Sequence, residues 1–205
     1  MKFWNHYKMG QLIYKSMEEN GIRLNKTMFV YGNLAPDMSF SYIYRMHTRA
    51  VSASYLSKQL KRVYSGVNLP ESAKFSYCLG VMSHYICDFL CYPHTTAFKG
   101  GTHEHYLHEK KQKVEAGDLL PLNKKKCNGL NYILLTDLID RYISRREKLY
   151  GQNAEIKYGE ISFAMYVAAW ASSNAYIYIE QSFAVSALTG TSIPIHDIAA
   201  ETVVC

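Results

Sequence analysis

Cysteine and proline are both scarce in this chain of 205 residues, five of each, and neither is placed to organise a fold by itself. Cys78, Cys87, Cys91, Cys127 and Cys205 are odd in number, and three of them fall in one apolar helical stretch. That excludes a disulfide framework and predicts reduced, buried thiols. No Pro/Gly/Ser-rich linker, internal repeat or low-complexity segment divides the chain, so one domain over 1–205 with one sizeable core is expected. An uninterrupted secretory core is also missing, because Lys2, His6, Lys8 and Lys15 break up the apolar residues between Met1 and Met17. The expected location is cytoplasmic, or secreted only if a leader precedes this sequence.

Period-two alternation of apolar residues is nearly absent, whereas helical periodicity runs almost throughout, which predicts an all-α protein. Helices are expected from Asn5, as N-cap, to Met17, from Arg45 to Tyr64, from Pro70 to Pro93 and from Thr102 to Val114. Two more are expected from Tyr132 to Tyr150 and from Tyr158 to Leu188. Gly32 to Asp37 reads as a loop broken by Pro36, Lys124 to Asn131 as a basic loop, and the tail from Thr189 as irregular. Ile161 to Ile179 carries no charge, but Ser172, Ser173, Asn174 and several aromatic residues make it a buried core helix rather than a membrane span.

The formal charge of +6 is concentrated in Lys110, Lys111 and Lys113, in Lys124 to Lys126, and in Arg141, Arg145, Arg146 and Lys148. These runs read as solvated helix faces, and their mild positive field favours an anionic substrate.

The residues that point to chemistry lie between His84 and Glu109. His84 and Asp88, and again His105 and Glu109, stand four apart, so each pair shares one helix face and can reach one ion. Pro93 ends or kinks the first of these helices and His94 follows at once. Imidazole nitrogen with carboxylate oxygen is the donor set of open, catalytic zinc sites; closed structural sites lean on thiolates. One such pair is ordinary on a helix surface, whereas two pairs and His94 within twenty-six residues point to metal. Upstream, Asp37 and His47 read alone as a turn residue and a helix-start residue, and His6 as a packing or capping residue. His103 and His108 are expected at the surface. The chain has no His-Glu-x2-His, and His196-Asp197 lacks the spacing of a metal-dependent phosphohydrolase.

Taken together, Asn5-His6-Tyr7, Gly-Asn-Leu-Ala-Pro-Asp37, His47, His84-x3-Asp88-x5-His94 and His105-x3-Glu109 resemble the zinc-dependent phospholipase C family, whose superfamily includes zinc-dependent nucleases. The resemblance implies an all-α, multi-helix bundle with a metal cleft between helices and two or three zinc ions. It implies that Asp37, His47, His84 and Asp88 bind one zinc, that Asp88 bridges to a second shared with His6, and that His94, His105 and Glu109 hold a third. Secreted relatives complete one site with the amine and carbonyl of an N-terminal tryptophan, whereas this chain starts Met-Lys-Phe-Trp.

The implied activity is metal-dependent hydrolysis of a phosphodiester, phospholipase C-type cleavage of a phospholipid head group, with Asp37 orienting or deprotonating the attacking water. Peripheral membrane contact goes with such a substrate. The alternatives are a single-strand nuclease or nucleotidase on the same metals, for which nucleic acid is the partner, or an inactive metal-binding or sensory protein. Tyr14, Phe40, Tyr42 and Tyr44 lie near the Asp37 loop and read more readily as core than as a head-group box.

Overall fold

The computed structural model describes residues 3–38, 49–65, 70–118, 120–122, 127–152 and 159–190. Seven α-helices and two short 3-10 turns make up its regular structure, and no strand occurs among the described residues. The helices are α1 (Phe3–Glu19), α2 (Lys26–Met38), α3 (Arg49–Tyr64), α4 (Ala73–Leu90), α5 (Thr102–Lys111), α6 (Tyr132–Gln152) and α7 (Glu160–Thr189). The all-α expectation is borne out.

α4 is the axis of the bundle, because α1, α2, α3, α6 and α7 all pack on it. Its sequence is apolar on nearly every face, and every residue between Phe75 and Leu90 except Tyr77 is buried. Ser72 starts it as N-cap, its hydroxyl accepting from the Phe75 amide, rather than the prolyl turn at Pro70. α7 is apolar all round and its Ala164–Tyr176 portion is buried almost entirely. No helix is long and apolar enough to cross a membrane among the described residues. Cys78, Cys87, Cys91 and Cys127 are buried; Cys205 lies outside the described residues.

Two local expectations are corrected. Gly32 to Asp37 is not a loop but the second half of α2, with Pro36 inside the helix. Pro36 has no amide to bond the Gly32 carbonyl, but it stands only two residues from the helix end. The helix persists there because it is clamped on α4. A Cβ on Gly32 would come within 2.2 Å of the Tyr77 carbonyl oxygen, and one on Gly80 within 2.1 Å of the Phe29 carbonyl oxygen. The two backbones therefore cross with no side chain between them. Asn5 is not an N-cap either: α1 starts two residues earlier, and the buried Asn5 amide donates to the Gln112 carbonyl beyond α5. The tail from residue 191 lies outside the described residues.

Candidate metal centre

On α1, the buried positions His6, Met9, Ile13 and Met17 form one helical stripe, so His6 enters the bundle at the head of an apolar face. The glycine crossing of α2 on α4 carries Asp37, in the last turn of α2, over the column of α4 that bears His84 and Asp88. These four side chains meet. His6 Nε2 lies 3.1 Å from Asp88 Oδ1 and 4.0 Å from Asp37 Oδ2. His84 Nε2 lies 3.3 Å from Asp88 Oδ2 and 3.8 Å from Asp37 Oδ1. The two imidazole rings are 4.0 Å apart between centroids.

His84 has its orientation fixed from behind. Its Nδ1–H donates to the Asn33 carbonyl at 2.9 Å, and a carbonyl can only accept, so the proton must sit on Nδ1 and leave Nε2 for the cluster.

α4 stops at Leu90, with Cys91 as C-cap in an extended conformation, and Tyr92–His94 follow as a 3-10 turn. Pro93 holds that turn, and His94 returns toward α4 with Nε2 3.7 Å from Asp88 Oδ1. A second group forms where α5 meets this turn. Glu109 Oε1 is 3.3 Å from His94 Nε2 and 2.8 Å from His105 Nε2, and the rings of His94 and His105 stand edge to face at 4.8 Å. One donor atom from each of His6, Asp37 and His84 lies within 4.8 Å of the others, and the same holds for His94, His105 and Glu109. Asp88 joins the two groups, with Oδ1 facing His6 and His94 and Oδ2 facing His84.

The structure thus brings together seven of the eight residues singled out as metal ligands, and His47 lies outside the described residues. His6 stands nearest Asp88, the carboxylate with which the resemblance has it share an ion, and it also lies in a compact triad with Asp37 and His84. Of the aromatic residues near Asp37, Tyr14 is buried and bonds Glu18, while Phe40, Tyr42 and Tyr44 lie outside the described residues. His108 is half-buried, not a surface residue, with Nε2 3.2 Å from Glu160 Oε1. His103 is exposed, and His196-Asp197 lies outside the described residues.

Sequence reasoning missed the residues that hold these segments in place. Glu147 on α6 accepts from the Thr96 amide at 3.2 Å through Oε1 and from Arg49 Nη1 at 3.3 Å through Oε2. Arg49 also reaches Asp140 at 3.1 Å and Ser144 at 3.0 Å. One carboxylate therefore ties the segment just after His94 to the start of α3. The Tyr150 hydroxyl donates to the Leu90 carbonyl and satisfies the end of α4. Asn33 carries no chemical signal in sequence, since it acts through its backbone.

Electrostatics fit a cation. Burial works against ionising Asp88, yet the imidazoles of His94, His6 and His84 hold its carboxyl well below the usual range. Glu109 is likewise held far down, against burial, by hydrogen bonds from His105 and His94. Burial lowers His6 and His94. His84 runs the other way, because Asp88 and Asp37 outweigh burial and raise it. A buried carboxylate needs compensating positive charge, and without metal a proton on His84 supplies part of it. The nearby thiols of Cys87 and Cys91 are pushed up well above the usual range by burial, so they stay neutral. The donor set is nitrogen and oxygen alone, which suits an open zinc site and not a thiolate cage.

A helical bundle that converges histidine and carboxylate donors from five segments in this way belongs to the class of zinc-dependent hydrolases. A family model described as zinc dependent phospholipase C matches residues 5–153, well over half of the chain, and the chain belongs to that family. No curated protein and no solved structure matches it.

Proposed function

We propose that this protein hydrolyses phosphate esters, cleaving the head group of a phospholipid in the manner of a phospholipase C. Two or three zinc ions would be held by His6, Asp37, His47, His84, Asp88, His94, His105 and Glu109. The observation that carries this reading is the position of Asp88: a fully buried carboxylate whose two oxygens face three imidazoles and join both donor groups.

Bound there, zinc would offset the charge of a phosphodiester and lower the pKa of water toward neutrality. The chain's own part is positioning. His84 is locked by the Asn33 carbonyl, His94 by the Pro93 turn and the Glu147 tie, and His105 and Glu109 by their shared face of α5. Rigid placement of this kind lets reacting groups meet without reorganisation. Asp37 is partly exposed while His6, His84 and Asp88 are fully buried, so Asp37 stands at the solvent edge of its group. There it would orient the incoming water and take its proton. The substrate partner is a phospholipid presented at a membrane surface.

The test is zinc stoichiometry by elemental analysis, together with initial rates on phospholipid vesicles and on single-stranded DNA, with and without chelator. Two or three zinc ions per chain and chelator-sensitive lipid cleavage support the reading. Turnover of DNA alone would transfer the site to nucleic acid, and a chain that takes up no zinc would end the proposal.

A further inference from the structure

A cavity of about 320 Å³ opens beside the Asp37 group, and none of the described residues lining it belongs to the donor set. Tyr31 and Pro36 of α2, Gln59 and Arg62 of α3, and Tyr77 and Tyr85 of α4 surround it. It shares two walls with the metal centre. Pro36 directly precedes Asp37, and the Tyr85 ring stands edge-on to His84 at 5.3 Å. Tyr77 and Tyr85 lie on the column of α4 next to the one that carries His84 and Asp88.

Two polar groups in this cavity have no structural employment. Gln59 is 5 % exposed, and its amide oxygen is buried without a hydrogen-bond partner among the described residues. Native interiors rarely leave such an acceptor unmet, and an exception calls for a ligand or an ordered water. Arg62, one helical turn further along α3, stands exposed on the cavity's lining and makes no ion pair among the described residues.

Resting on the proposed phospholipase reading, we infer that this cavity receives the alcohol part of the substrate and selects a hydroxyl-bearing head group, a polyol such as glycerol, over choline. A polyol hydroxyl donates to the Gln59 oxygen, and a second hydroxyl accepts from the Arg62 guanidinium. Its C–H faces rest on the tyrosine rings. Choline has no O–H or N–H to offer Gln59, and its fixed positive charge meets that of Arg62. The tyrosine faces attract a quaternary ammonium, but this attraction is opposed by a like charge and leaves the buried amide unmet. A site built to hydrogen-bond a hydroxyl rejects the analogue without one far more strongly than an apolar pocket rejects a change of size.

Initial rates on phosphatidylglycerol and phosphatidylcholine vesicles, for the wild type, Gln59→Leu and Arg62→Ala, test this. The wild type should prefer phosphatidylglycerol by about tenfold or more in kcat/KM, and each variant should lose most of that preference. Arg62→Ala is an exposed change that leaves packing intact, so it stands if Gln59→Leu misfolds. Equal or faster choline cleavage by the wild type, or an unchanged ratio in the variants, overturns the inference. If neither lipid is cleaved, the phospholipase reading fails and the cavity is judged by binding alone. Saturable binding of sn-glycerol 3-phosphate by NMR titration, weakened in both variants and absent for phosphocholine, sustains the cavity's selectivity; no binding, or binding unchanged in the variants, refutes it.

Discussion

Asp88→Asn is the most informative single change, because it keeps shape and volume while removing the one charge that both donor groups share. In the wild type, Asp88 lies 3.1, 3.3 and 3.7 Å from His6, His84 and His94, and is fully buried. An asparagine there can present only one acceptor oxygen, and no negative charge to offset a divalent cation. Zinc present at 100 times its dissociation constant stabilises a folded protein by about 2.7 kcal/mol. For a chain of this size that corresponds to a rise in Tm of about 5–10 °C. The expected result is that zinc raises the wild-type Tm by about that amount and raises that of Asp88→Asn by a small fraction of it. Without metal the variant should be no more than modestly destabilised, because His84 can shed the proton that Asp88 favoured. The assay is thermal unfolding with zinc and with chelator, paired with elemental analysis. A variant that keeps both the full zinc content and the full zinc-dependent rise in Tm would refute the role assigned to Asp88.

Asp37→Asn should instead abolish hydrolysis while the chain still folds and takes up zinc at His94, His105 and Glu109, which elemental analysis and circular dichroism would show. Glu147→Gln weakens both ties of that carboxylate, to the Thr96 amide and to Arg49; zinc affinity should fall by about 10- to 100-fold, as for lost supports of metal ligands, measured by chelator competition. Gly32→Ala places a methyl group 2.2 Å from the Tyr77 carbonyl oxygen; the α2–α4 crossing must open, at a cost of about 2–3 kcal/mol in denaturant unfolding, and zinc uptake should drop with it. The pH response of the chelated chain follows from its imidazoles. His6 and His94 are lowered from 6.5 in the folded state, so the unfolded chain binds more protons as pH falls below that value, and stability is lost there. His84, raised, contributes stability that is fully present below 6.5 and lost as pH rises through its folded value. Asp88 and Glu109, both depressed, lose theirs only at still lower pH, as each protonates through its folded value. Below pH 5 the contribution of His84 is already complete and the two depressed carboxyls act unopposed, so the Tm should fall from pH 5 to pH 3, and a Tm that rises over that interval would contradict the assignment.

Local pattern alone determined the helical class and most helix positions, because apolar spacing and one-turn His/acid pairs are properties of neighbours in sequence. His84 with Asp88 and His105 with Glu109 were legible for that reason. Pro36 misled, since proline's local preference to break a helix was overridden by the contact of Gly32 and Gly80 across two helices. Only the tertiary structure decided that His6, eighty-two residues from Asp88, reaches the same carboxylate, and that His84 is aimed by the Asn33 backbone. Glu147 and Gln59 were invisible for the same reason. Their meaning lies in which segment a carboxylate grips and in whether a buried amide finds a partner, and both depend on how helices remote in sequence pack together.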